Sequence, residues 1–180
     1  MRLQGKRVAV LVEEGFEDLE FWVPVMRLRE EGAEVVVVGT GRHPEFRGKH
    51  GLTARPDTTA DAVRAADFDA VVIPGGWAPD RLRRSEAVKR LVREAHEQGR
   101  IVAAICHAGW VAISAKIVQG RRATGAPAIR DDLENAGATW VDAPVVRDGT
   151  LVWGRVVDDI PAFCRELVDA VATNVPQSWV

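Results

Sequence analysis

Short apolar runs alternate along the chain with stretches whose apolar positions recur at helical spacing. "RVAVLV" (Arg7 to Val12) reads as a buried strand. Leu19, Trp22, Val23 and Met26 follow at the i, i+3, i+4, i+7 spacing of an amphipathic helix, which Gly32 ends. "AEVVVVG" is a second strand, and "DAVVIPGG" (Asp69 to Gly76) a third, stopped by a double glycine. Val88, Leu91, Val92 and Ala95 form one face of a long helix that Gly99 closes. "IVAAI" is the next strand, followed by a helix of small residues to about Ala115. "PAIRDDLENAG" reads as a helix. "TWVDAPVVRDGTLVWG" carries an Asp-Gly hairpin signal at Asp148-Gly149, and a final helix runs from about Pro161 to Ala172.

Strands that are apolar throughout need cover on both faces. Helices between them supply it, and right-handed crossovers make the sheet parallel. The pattern therefore predicts a doubly wound α/β sandwich, a mostly parallel sheet with a late β-hairpin. In such sheets chemistry collects at the carboxyl ends of the strands. Three loops are expected to meet there: "EEGFEDLE", "PGGWAPD" and "CHAG".

The length of 180 residues fits one domain spanning 1–180. Neither the net charge of −2 nor any basic tract points to nucleic acid. No apolar run approaches the ~20 residues of a membrane span. The N-terminus has no cleavage-site pattern, so no leader is read. Two cysteines make no disulfide framework, and free thiols in a reducing cytoplasm are expected.

Cys106 stands where "IVAAI" turns into a helix. A lone Cys there is either a small buried hydrophobe or a nucleophile. The helix end favours thiolate. His107 is a base within reach only if a sharp elbow turns the two side chains together. Ala108 and Gly109 leave room for a substrate or another backbone. Gly75 and Gly76 are either a plain turn or an open backbone whose N–H groups, with that of His107, face a developing oxyanion. Most acids of "EEGFEDLE" read as solvated or as helix N-terminal complements. Glu20, flanked by Leu19 and Phe21, is either an exposed helix acid or a carboxyl tucked against the core. In the second case its pKa rises and it stays protonated.

Other chemistry is not legible. The histidines (His43, His50, His96, His107) and two cysteines show no metal-ligand spacing, so no metal or other cofactor is expected. "GTG" at Gly39 to Gly41 is not a dinucleotide fingerprint, and there is no P-loop. Cys164, among Phe163, Leu167 and Val168, reads as core.

"AICHAGWVAISAKIVQGRRATGAPAIRDDLENAGATWVDAPVVRDGTLVWGR" closely resembles the PfpI family of intracellular cysteine peptidases and protein deglycases, within the class I glutamine amidotransferase-like superfamily. "EGFEDLEF", "GKHG", "DFDAVVIPGGWAPDRLR" and "DDIPAF" fall in family order. The resemblance implies a flavodoxin-like three-layer sandwich. It implies Cys106 as nucleophile, His107 as its partner and Glu20 as the protonated acid at the sulfur. Gly75, Gly76 and His107 become the oxyanion hole. In peptidase-type members a Glu from a neighbouring subunit orients the His; here that place is Asp80, one methylene shorter. "CHAGW" departs from the Gly-Pro that many relatives carry after the His, and Trp110 and Trp77 are placed at the pocket mouth.

A homodimer or hexamer is implied, with no membrane and no sequence-specific nucleic acid as partner. The favoured function is a stress-protective enzyme of reactive carbonyls or their protein adducts, working through an ionised, oxidation-sensitive thiol. The alternatives are an oligomeric intracellular cysteine peptidase acting on peptides, or a non-catalytic redox-sensing stress protein.

Overall fold

The computed structural model describes residues 1–176. In chain order the strands and α-helices are β1 (Arg7–Leu11), α1 (Asp18–Glu30), β2 (Glu34–Gly39), β3 (Phe46–Arg47), β4 (Thr53–Ala54), β5 (Thr58–Thr59), β6 (Ala70–Ile73), α2 (Ala78–Leu82), α3 (Glu86–Glu97), β7 (Ile101–Ile105), α4 (Gly109–Ser114), β8 (Arg122–Ala123), α5 (Arg130–Asn135), β9 (Thr139–Trp140), β10 (Val145–Asp148), β11 (Leu151–Gly154) and α6 (Ile160–Thr173). The central sheet runs β10-β11-β7-β6-β1-β2-β5. Only the edge strand β10 is antiparallel. Its inner order, β2-β1-β6-β7-β11, is the flavodoxin-like one.

Residues Val8 to Leu11 of β1 and all of β6 and β7 are buried, which explains their unbroken apolar sequences. α1 packs with α6, and α3 with α4, so helices cover the sheet in two layers. No helix among the described residues is long and apolar enough to cross a membrane.

Two elements differ from the sequence expectation. In α1 the stripe Leu19, Val23 and Met26 faces solvent, while Phe21, Val25 and Leu28 are fully buried. The helix is apolar on both sides, so spacing alone cannot choose its inner face. Each of the three buried side chains contributes roughly 1.5–3 kcal/mol. At the hairpin, Asp148 pairs with Leu151, so the two-residue turn is Gly149-Thr150, not Asp148-Gly149. Gly149 has φ +59 at the first central position, the sign a II′ turn requires there. The pattern also left out β3 and β4, whose strands are too short for periodicity to register, yet they position part of the site.

Candidate active site

β7 ends at Ile105, and Cys106 follows with φ +61. A left-handed conformation is strained for any residue carrying a Cβ. It forms the elbow that turns consecutive side chains together: Cys106 Sγ lies 3.3 Å from Nδ1 of His107. Ala126 N–H donates to the Cys106 carbonyl at 3.2 Å and helps hold the elbow. Ala108 and Gly109 serve packing and not access. Ala108 is fully buried, and a Cβ on Gly109 would come within 2.8 Å of Ile129 Cδ1.

Glu20 is completely buried, on the inner face of α1. Gly75 N–H donates to its Oε1 at 2.8 Å, while Oε2 has no hydrogen-bond partner. Burial, reinforced by the charge of Glu17, pushes its pKa up to about 8, so Glu20 keeps its proton at neutral pH. The Gly75 amide is thereby committed to Glu20 and does not face the cavity as an oxyanion donor. The backbone N–H of His107 points at the sulfur.

The expected ionised thiol is not what this setting produces. Burial, then the charge of Glu20, pushes Cys106 up to about 12, and the His107 N–H only partly opposes this. A helix end is worth roughly 0.3–1 kcal/mol, less than one pKa unit, and desolvation wins. The like-charge part of the push exists only once Glu20 has lost its proton. Burial and the nearby Lys49 lower the pKa of His107, leaving a neutral imidazole beside a thiol.

Three loops meet here as expected. Glu17 N–H donates to Gly75 carbonyl at 3.0 Å, and Trp77 N–H to Gly15 carbonyl at 2.8 Å, joining the first loop to the double glycine. Gly76 (φ +81) has no room for a Cβ, which would lie 2.5 Å from Gly15 O and Glu17 N. Of the first loop's acids, Glu13, Glu17, Asp18 and Glu20 are buried and Glu14 is half-buried. Glu17 caps α1 by accepting from Glu20 N–H, and Glu13 is fully buried against Thr40 and Arg42. Asp18 accepts N–H bonds from His50 and Leu52, both 2.8 Å, and so fixes the β3–β4 hairpin.

That hairpin contributes Lys49 and His50 to a cavity of about 460 Å³ in front of Cys106, Glu20 and His107. Trp77 and Trp110 line it. Trp110 packs edge-on against His107, donates to Asp132 at 2.9 Å and lies under Arg83. Lys49 sits over the Trp77 ring. Asp80 lines the cavity but pairs with Arg84, and forms no hydrogen bond to His107 within the chain. Arg81 and Val157 complete the wall. The motifs of the resemblance span Glu17, Lys49, His50 and Arg81 but give none of them a role, because each reaches the cavity only through the fold. Among the described residues no cluster of His, Cys, Asp or Glu is arranged to hold a metal ion. Cys164 is buried in α6, as expected of a core residue.

A Pyrococcus abyssi protein named as a deglycase is 44% identical over 90% of this chain and 97% of its own length. General stress protein 18 of Bacillus subtilis is 41% identical over 90% of this chain and 95% of its own. The crystal structure of an Anabaena variabilis protein with DJ-1/ThiJ/PfpI-like and ferritin-like domains superposes with a TM-score of 0.90 at 43% identity, over 91% of this chain and 47% of that one. The model of the DJ-1/PfpI family matches residues 6–170, and the chain belongs to that family.

Proposed function

We propose that the protein is a cysteine-dependent enzyme of reactive carbonyls, of the glyoxalase or deglycase type. The observation that carries this is a thiol held 3.3 Å from a neutral imidazole at the floor of an open cavity. A thiol that keeps its proton at rest needs a base at the moment of attack, and His107 Nδ1 is in reach. As Sγ bonds to the aldehyde carbon of an α-oxoaldehyde, its proton passes to His107 and then to the former carbonyl oxygen, giving a hemithioacetal. Through an enediol, the hydrogen on that carbon then moves to the neighbouring carbonyl carbon and the new hydroxyl's proton to the neighbouring oxygen, yielding the thioester of a 2-hydroxy acid. Water hydrolyses it to the hydroxy acid and restores the thiol. Methylglyoxal plus water thus becomes lactate with no external oxidant. Protonated Glu20 donates to the sulfur whenever it carries charge, and Gly76 N–H is left to receive the oxyanion in place of Gly75. In a deglycase reaction the same attack falls on the carbonyl-derived carbon of a protein adduct.

Methylglyoxal turnover to lactate tests the reading. Cys106→Ser is expected to lower it by roughly 10³-fold or more. Equal lactate formation by the two proteins would end the proposal. Peptide hydrolysis is less well supported. An unactivated amide needs an oriented His107, and the carboxylate expected to orient it across a subunit boundary, Asp80, is held by Arg84. A casein digest comparing wild type with Asp80→Ala checks that alternative.

The unpartnered, buried Oε2 of Glu20 supports a second role for the same sulfur. Two equivalents of peroxide, each reduced to water, would carry the thiol to a sulfinate that protonated Glu20 hydrogen-bonds. Mass analysis during peroxide titration should show Cys106 gaining two oxygens before Cys164 gains any; the reverse order removes this role.

A further inference from the structure

Beside the cysteine cavity lies a second cleft of about 480 Å³, lined by Thr40, Arg42, Arg81, Arg84 and Ser85. Arg81 is a wall of both hollows. The proposed reaction makes no use of this cleft.

Its chemistry is one-sided. Three guanidinium groups and two hydroxyls line it, and no carboxylate does. Arg42 reaches the buried Glu13 at 3.5 Å, and Arg84 pairs with Asp80, so two of the positive charges are partly answered from behind. Arg81 has no carboxylate partner among the described residues; its Nη1 donates only to the Glu14 carbonyl, at 3.4 Å. Ser85 also caps the N-terminus of α3, with its side chain accepting from Val88 N–H. α3 is 12 residues long, so its positive end adds to the field at the cleft. The Arg42 and Arg84 side chains are more than half exposed, within reach of a solute. The Thr40 hydroxyl donates to Glu13, which leaves the forked guanidinium donors and the Ser85 hydroxyl to match the oxygens of a phosphate monoester.

We propose that this cleft is an anion subsite that seats the phosphate of a phosphorylated carbonyl substrate while the carbonyl carbon faces Cys106. The proposal rests on the carbonyl chemistry above and names the substrate class. Arg81 lines both hollows, so the anion subsite and the cysteine cavity share a wall. Unphosphorylated carbonyls would enter the same cavity without this anchor.

Two measurements on the full chain test it. The first is calorimetric titration with inorganic phosphate at low and high salt, using wild type, Arg84→Gln and Arg42→Gln. Wild type should bind, more weakly at high salt, and each variant about tenfold or more weaker. The second compares hydroxypyruvaldehyde phosphate with hydroxypyruvaldehyde by kcat/KM. Wild type should prefer the phosphorylated compound by about tenfold or more. Arg84→Gln should erase most of that preference while turning over the parent compound normally. The subsite is overturned if wild type binds no phosphate, if the variants bind it equally, or if the preference is absent while the parent compound is consumed. Phosphate binding that both variants weaken, with neither aldehyde consumed, would support the subsite and overturn the carbonyl chemistry instead.

Discussion

Cys106 and Cys164 are the same side chain in two settings, and burial raises the pKa of both, to about 12 and about 11. By acidity alone, Cys164 would be the more reactive. It sits in the middle of α6 with 4% of its surface exposed, and no base is hydrogen-bonded to it. Cys106 sits at a left-handed elbow, against an imidazole and beside a protonated carboxyl, and it lines a cavity. In the proposed reaction, what sets Cys106 apart from a core cysteine is therefore the backbone conformation and the neighbours it brings together. Resting thiol acidity does not separate them.

The comparison is broken most easily by alkylation. Iodoacetamide at pH 7 should modify Cys106 at least ~100-fold faster than Cys164, because Cys164 reacts only after α6 opens, at a cost above ~2.7 kcal/mol. Peptide mass mapping over time reads both sites at once. Faster modification of Cys164 would show that acidity governs after all.

Gly75→Ala attacks the neighbours without touching either sulfur. The added Cβ would clash with Glu20 Oε1 and come 3.0 Å from both Cys106 Cβ and Ile105 O. Backbone and a buried carboxyl cannot both yield, so a loss of about 1–3 kcal/mol is expected. Thermal unfolding should record it, and Cys106 alkylation should fall towards the Cys164 rate.

Glu20→Gln sharpens the pH side of the contrast. In the wild type, Glu20 ionises near pH 8 and from there adds like-charge repulsion against a thiolate. The amide removes that term, so the Cys106 alkylation profile should move to lower pH while that of Cys164 stays. Stability changes as well. The folded pKa of this acid lies above its unfolded value near 4.5, so the folded state binds more protons between pH 4.5 and 8. Wild-type stability therefore falls as pH rises through that window, roughly by a few kcal/mol. Glu20→Gln should flatten the decline, and denaturant unfolding at pH 5, 6.5 and 8 measures it.

How far the sequence reaches is visible in these residues. The parallel sheet, the Cys106 turn and an acid at position 20 able to carry a proton are local features: apolar runs, small residues and one carboxylate between Leu19 and Phe21. Spacing does not give the inner face of α1, because both its faces are apolar. The role of the Gly75 amide depends on peptide orientation, which residue type does not encode, and here it is turned towards Glu20. Lys49 and His50 reach the cavity through a hairpin of two-residue strands that Asp18 fixes across 32 and 34 positions of chain. Such contacts leave no periodic trace.

The smallest expected effect belongs to the quieter cysteine. Cys164 lies among the packed side chains of α6, and α6 packs against α1 and β11. Cys164→Ala removes one sulfur atom from that layer and leaves a hole of about one atom, without exposing a polar group. A cost of about 1 kcal/mol is expected. It should appear as a lower denaturant midpoint with an unchanged slope, because the surface exposed on unfolding hardly changes. Methylglyoxal turnover and Cys106 alkylation should match the wild type, since no described contact links this position to the elbow. A fall in turnover larger than the stability loss can account for would mean that the two sulfurs are coupled through α1, which carries both Glu20 and Arg27, the residue whose charge reaches Cys164.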